Sequence, residues 1–153
     1  MVIFGLNQVI DKLLIRPVAT IYKRVTPDFM QTMVTSFLNN LTEPVTFING
    51  ALQGDFQSSW NAARRFSFNT LFGFAGFFDS AQRQRWFHDP RDFGMTLTKW
   101  GATEGFYMVL PVIGPSNLRD TIGLAADFFM DPFNIWVLAT DRQGLGYIRT
   151  GTR

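Results

Sequence analysis

His88 is the one histidine in the chain, so any triad or imidazole base would have to use it. It lies in the polar run His88-Asp89-Pro90 and reads as a surface-loop histidine. No G-x-S-x-G elbow accompanies it. Gly114-Pro115-Ser116 places a proline where a strand-to-helix turn would carry the nucleophile, and Ser116 reads better as a helix N-cap. The carboxylates Asp79, Asp89, Asp92, Asp127 and Asp131 are scattered, with neither calcium-loop spacing nor a zinc-binding histidine pair, so no metal site is expected. There is no cysteine, which excludes thiolate metal sites, thiol redox chemistry and cysteine nucleophiles. No phosphate-binding loop or dinucleotide fingerprint is present, and no cofactor is expected. Arg64 and Arg65 flank an aromatic-rich stretch. Their guanidinium forks suit a lipid phosphate, and the plain alternative is a helix surface with snorkelling side chains. Arg119-Asp120 reads as a solvated face, because sequence neighbours point different ways on a helix. This inventory argues against an enzyme.

The bulk composition points elsewhere. The chain has 153 residues, suited to one domain, and charged residues are only 17% of it. Seventeen Phe, four Trp and three Tyr exceed what a small core would easily hide, so aromatic surface should face lipid, a ligand or a partner. Mean hydropathy is +0.05, low for a polytopic helix bundle. Fourteen Lys+Arg against twelve Asp+Glu give a net charge of +2, and the only dense basic spots, Arg64-Arg65 and Arg83/Arg85, lie in no long run, so a nucleic-acid partner is not expected. No apolar run reaches the ~18–20 residues of a transmembrane helix. The most apolar stretches, Leu71–Phe78 and Phe106–Ile113, could sit in a core or dip into one leaflet but could not span as helices.

The elements that must position these residues are helices broken by proline and glycine. Val2 to Ile15 shows helical spacing, and Pro17 predicts a kink or a fresh helix to Lys23. Thr26-Pro27-Asp28 reads as cap, first-turn proline and first-turn acid, opening an amphipathic helix to Leu41. Its polar face (Gln31, Thr32, Thr35, Asn39, Asn40) is uncharged. Thr42-Glu43-Pro44 predicts a second start, with a short helix ending near Gly54. Asp55 caps a helix reaching Leu71, Asp79 to Trp86 reads as one more short helix, and Arg91-Asp92-Phe93-Gly94 opens another closed by Gly101. Gly105 to Pro115 is extended or irregular, with Pro111 and Gly114 as breakers. Ser116 caps a final clear helix that Asp131-Pro132 stops. Beyond Phe133, Gly144, Gly146 and Gly151 leave the tail unassigned. The fold class is all-α, one domain of many short helices, with the profile of something that holds or passes an apolar ligand.

At this level of detail the chain resembles the MlaA/VacJ outer-membrane lipoproteins. The resemblance is carried by Asn7-Gln8-Val9-Ile10-Asp11, Arg16 to Ala19, Ser36 to Pro44, Leu52-Gln53-Gly54, Arg65-Phe66 with Asn69-Thr70, Asp92 to Leu97, Gly105 to Pro111, Gly114-Pro115-Ser116 and Leu118-Arg119-Asp120. These pieces run in order over about residues 7–132. The resemblance implies a ring- or doughnut-like body with a central amphipathic channel, in the inner leaflet of the outer membrane on the periplasmic side. It implies removal of mislocalised phospholipid from the outer leaflet, hand-over to a periplasmic lipid-carrier protein, and association with a trimeric porin. It also implies a signal peptide and lipobox cysteine ahead of Met1 and further helices after Arg153, so the chain is expected to be truncated at both ends.

On this reading Phe106, Tyr107, Leu110, Pro111, Ile113 and Gly114 are candidates for a channel wall or lid, with a packed hairpin over the core as the alternative. Irregular backbone at membrane depth is tolerated only against protein or a cavity. Phe74, Phe77 and Phe78 are candidates for the membrane rim, and Arg64 and Arg65 for headgroup contact. Two other functions compete with transport: a porin-associated scaffold without transport activity, and a lipid-cleaving hydrolase using His88.

Overall fold

The computed structural model describes residues 2–140 apart from Val112. The chain begins with α1, Val2–Ile10, which passes through a π-helical turn, Asp11–Ile15, into α2, Arg16–Val25. The wide turn answers the proline. Pro17 has no N–H to give and its ring crowds the carbonyl four residues back, so the helix loosens just ahead of it. Arg16 Nε lies 2.8 Å from Asp11 Oδ2, bridging the five-residue spacing that a π turn eclipses. The expected kink at Pro17 thus takes the form of a π turn in a continuing helix.

The long helix α3 runs Asp28–Leu52 straight through Pro44. Two sequence expectations are corrected here. Thr26 ends α2 with an extended ψ of 121°, and Pro27, with no side-chain cap, is the N-cap of α3. The break predicted at Thr42-Glu43-Pro44 does not form. Glu43, Val45 and Thr46 are buried against neighbouring elements, and this packing outweighs the one backbone hydrogen bond that Pro44 removes.

Asp55 is the cap expected of it, and Asp79 and Asp92 also cap the short helices expected after them. Asp55 caps α4 (Phe56–Phe72), Asp79 caps α5 (Ser80–Arg83) and Asp92 caps α6 (Phe93–Lys99), accepting from the N–H of Ser58, Gln82 and Met95 respectively. The segment after α6 forms an antiparallel hairpin, β1 (Tyr107–Leu110) and β2 (Gly114–Asn117), with Tyr107 opposite Asn117 and Leu110 opposite Gly114. Helix α7, Leu118–Met130, is capped by Asn117, whose Oδ1 accepts from Asp120 N–H. Ser116, the expected cap, lies instead in β2, its Oγ 3.2 Å from Thr121 Oγ1. After Asp131 the chain bends by 64° into α8, Pro132–Thr140. Gly144, Gly146 and Gly151 lie outside the described residues. No single helix among the described residues is long and apolar enough to cross a membrane.

Asp55 gives a first prediction. Its carboxyl is held below the ordinary carboxylate range, first by the Ser58 N–H, then by the Ser58 hydroxyl and the Arg91 charge. The resulting stabilisation is complete above the ordinary value of about 4 and is lost as pH falls through the depressed one. Asp55→Ala should cost about 1 kcal/mol at neutral pH. The deficit relative to the parent should shrink in acid, read by thermal unfolding at both pH values.

The interior is polar. Asn40, Glu43, Thr46, Asn49, Gln53, Ser59, Arg65, Asn69 and Thr96 are buried, whereas the buried apolar side chains among the described residues are only Val45, Ala62 and Ala81. Small residues let the helices close on this centre. A Cβ on Gly50 of α3 would stand 2.6 Å from Ser59 Oγ of α4, and one on Gly123 of α7 would stand 2.5 Å from Gly94 N of α6. The large apolar side chains face outward, among them Leu13, Val25, Phe56, Leu71 and Phe129. This answers where the aromatic excess goes: most of it covers the outside.

Candidate functional site

Helix α4 aims Arg65 at α3 and at the segment following it. Arg65 Nε lies 2.6 Å from Glu43 Oε1, Nη2 lies 3.0 Å from Asp79 Oδ2, and Nη1 donates to the Trp86 carbonyl. Both Arg65 and Glu43 have side chains only 1% exposed. Burial alone would depress the guanidinium pKa, but Glu43 and Asp79 outweigh it and raise the pKa above its ordinary value. Asn69 completes the cluster, donating to Asp79 Oδ1 at 3.1 Å and accepting from Ala81 N–H at 2.8 Å.

His88 belongs to the same cluster, which corrects its reading as a surface-loop residue. Its side chain is 21% exposed and Nδ1 lies 3.0 Å from Glu43 Oε1. The imidazole–carboxylate contact ties the His88 loop to the buried Arg65–Glu43 pair. The described residues hold no group of three or more metal-ligating side chains.

Two cavities open along α3 beside this cluster. The first, about 580 Å³, is walled by Gln31, Thr32, Thr35 and Asn39 of α3, facing Asp79 and His88. This is the uncharged polar face seen in the sequence, except that Asn40 turns inward and donates to Thr70 Oγ1 at 3.2 Å. The second, about 730 Å³, takes apolar walls from Val45, Met95, Leu124 and Phe128. Asn39 and His88 line both cavities, the second of which carries Arg91, Asp92, Asp127 and Asp131 beside its apolar walls.

A second buried network holds the far wall. Asp127 of α7 accepts from Asn49 Nδ2 at 2.8 Å and from the Phe93 N–H at 2.9 Å, and Thr96 Oγ1 donates to Asn49 Oδ1 at 2.9 Å. Burial raises the Asp127 pKa, against the lowering effect of the Phe93 and Asn49 hydrogen bonds.

The other residues singled out in the sequence are distributed as follows. Phe106, Tyr107 and Ile113 are exposed on the hairpin, Phe106 at 79%. Pro111 is exposed, Leu110 is half-buried, and its carbonyl accepts from Asn7 Nδ2 at 2.9 Å, which ties the hairpin to α1. Gly114 is buried at φ +97°. None of these six lines either cavity. Phe74 and Phe78 are exposed, while Phe77 stacks on Phe37 with centroids 4.7 Å apart. The two arginines part company. Arg64 stacks over Trp86 at 4.7 Å and donates to Asn61, whereas Arg65 is internal and engaged by Glu43 and Asp79. Arg119, read as solvated, pairs through Nε with Asp120 Oδ1 at 3.0 Å, a reach the flexible side chain makes despite their adjacency. Sequence reasoning missed Glu43 and Asp127. Nothing local marks them, since their partners lie 22 to 78 residues away.

Fold and site together define a helical protein with a polar interior, an apolar exterior and a two-compartment groove. The chain belongs to the MlaA lipoprotein family, whose model matches residues 1–152. An uncharacterised protein of Rickettsia prowazekii is 34% identical over 155 residues, covering 95% of this chain and 62% of that protein. The intermembrane phospholipid transport system lipoprotein MlaA of Escherichia coli is 37% identical over 154 residues, covering 96% of this chain and 60% of its own length. That of Haemophilus influenzae is 35% identical over 132 residues, covering 84% and 53%. The chain thus spans only about half to three-fifths of these curated relatives. A solved structure bearing on the structural basis for maintenance of bacterial outer membrane lipid asymmetry aligns with a TM-score of 0.75 at 28% identity, over 97% of this chain and 81% of that one.

Proposed function

We propose that this protein is a phospholipid-passing component of an intermembrane transport system, not an enzyme. It takes mislocalised phospholipid from the outer leaflet of the outer membrane and hands it to a periplasmic lipid carrier. The observation that carries this reading is the pair of cavities meeting at Asn39 and His88. A phospholipid has a polar head and an apolar tail, and a groove that changes character along one helix offers each a compartment. The outward apolar side chains suit a body lying in one leaflet, with Phe74, Phe77 and Phe78 at its rim and Arg64 near lipid phosphates. Docking beside a trimeric porin and closure of the body into a ring with a central channel belong to the same reading. The likeness to the intermembrane phospholipid transport system lipoprotein MlaA of Escherichia coli supports it.

The hairpin of Phe106, Tyr107, Leu110, Pro111, Ile113 and Gly114 serves as channel wall or lid in this proposal. Gly114 adopts a backbone conformation that β-branched residues resist, and a Cβ there would meet nothing within 4 Å, so the penalty is conformational rather than steric. Gly114→Val should strain the hairpin by about 1–3 kcal/mol and slow transfer of labelled phospholipid from liposomes to a soluble acceptor. An unchanged transfer rate would remove the hairpin from the passage. A scaffold that only presents aromatic surface to a porin is the second reading, favoured by the exposed phenylalanines. It predicts no transfer by the wild-type chain in the same assay.

A further inference from the structure

Along α3 the wall of the polar cavity is rich in hydrogen-bond acceptors. Thr32 Oγ1 donates to the Asp28 carbonyl at 2.9 Å, and Thr35 Oγ1 donates to the Gln31 carbonyl at 2.9 Å. Each hydroxyl has committed its one hydrogen to the backbone, so only oxygen lone pairs remain for an occupant. Gln31 turns its amide nitrogen to the Thr26 carbonyl at 2.8 Å, which spends one of its two amide hydrogens and leaves its oxygen open. Asp28, Thr32 and Thr35 fall at i, i+4 and i+7, on one face of α3. Asp28 forms no ion pair among the described residues, whereas Asp79 is already neutralised by Arg65. No lysine or arginine lines this cavity.

Ser36, Asn39, Gln82 and His88 also line the cavity and can donate, but the fixed charge an anionic group would meet on the α3 wall is the Asp28 carboxylate, with no lining cation to offset it. A primary ammonium brings a positive charge and three N–H donors, the complement of this wall. We infer that the polar cavity selects a primary alkylammonium, the chemistry of an ethanolamine head group, over an anionic glycerol head group. This rests on the lipid-passage reading above and goes beyond it by naming the head group. The phosphate of the same lipid then sits away from the α3 wall, toward the cavity mouth.

The test is lipid competition. The full chain in mixed micelles carrying equimolar phosphatidylethanolamine, phosphatidylcholine and phosphatidylglycerol is repurified, and the retained lipid is quantified by mass spectrometry. Phosphatidylethanolamine should exceed phosphatidylglycerol by about tenfold, the scale of one charge-assisted hydrogen bond. Phosphatidylcholine should fall between them, because its quaternary nitrogen keeps the charge without N–H donors. Asp28→Asn and Thr35→Val should each pull the ratio toward the supplied one while leaving the melting temperature unchanged, since both side chains are exposed. Retention in the supplied proportions by the wild type overturns the inference and leaves the passage standing. Equal retention of the ethanolamine and choline lipids overturns the hydrogen-bonding argument. Retention of no lipid overturns the passage reading and the inference with it. Saturable binding of free ethanolamine by a chain that retains no lipid assigns the cavity to a soluble amine and overturns the lipid assignment.

Discussion

Arg65→Ala should destabilise the protein by about 3–5 kcal/mol, the range for stranding a partner of a buried ion pair. Glu43 would remain 1% exposed, with only His88 beside it, and its second carboxylate oxygen already has no hydrogen-bond partner. Asp79 would lose its guanidinium as well, and the Trp86 carbonyl its donor. Against a typical total of about 5–15 kcal/mol, such a loss would unfold a large share of the molecules on warming. Arg65→Lys should recover only part of it, because an ammonium lacks the planar fork that reaches three partners in different directions. A double replacement, Glu43→Leu with Arg65→Met, should be milder than Arg65→Ala alone, since it removes both charges and strands neither of the pair. Thermal unfolding in mild detergent, followed by circular dichroism, reads all four proteins. A cost below about 1 kcal/mol for Arg65→Ala would mean that the cluster opens to water and is not the structural centre described here.

Gly123→Val is the second large effect, through a different cause. The added Cβ would stand 2.5 Å from Gly94 N and 2.8 Å from Gly94 Cα. Those are backbone atoms, so no side chain can swing aside and the two helices must part. Parting them pulls Asp127 away from the Phe93 N–H and from Asn49, at 2.9 and 2.8 Å. Overpacking of about 1–3 kcal/mol and the loss of two hydrogen bonds at roughly 1 kcal/mol each act in the same direction. Gly94→Ala should be gentler, because its nearest contacts are carboxylate oxygens at 3.2 and 3.3 Å that can give way. Hydrogen exchange at α6 and α7 would locate the damage, and unchanged protection there in Gly123→Val would refute the close-contact argument.

Local chemistry was readable from the residues, and long-range pairing was not. Asp55, Asp79 and Asp92 announce helix starts because the capping contact lies three residues on. The neutral polar face of α3 was legible for a similar reason, and four of its five residues do line the polar cavity. Pro44 misled because a local rule was overridden by Glu43, whose partners come from 22 and 45 residues away. His88 misled for the same reason: its loop is polar in sequence, yet its ring turns to that same buried carboxylate. The segment Gly105 to Pro115 showed its breakers and β-formers such as Phe106, Tyr107 and Val109, but the partner strand Gly114–Asn117 carries no β-former, so the pairing was not visible. The phenylalanine excess was correctly assigned to surface. That the interior would be polar in its place was not visible, because each buried polar group is explained only by a distant partner.

That polar interior has a thermal consequence. Exposing apolar surface on unfolding raises the heat capacity and exposing polar surface lowers it. A centre made of Arg65, Glu43, Asn49, Asn69 and Thr96 releases mainly the second kind. The protein's stability therefore changes little in curvature between cold and warm, and cooling does not erode it as it erodes an oil-filled domain. Its integrity is an enthalpy matter, set by pairing geometry inside.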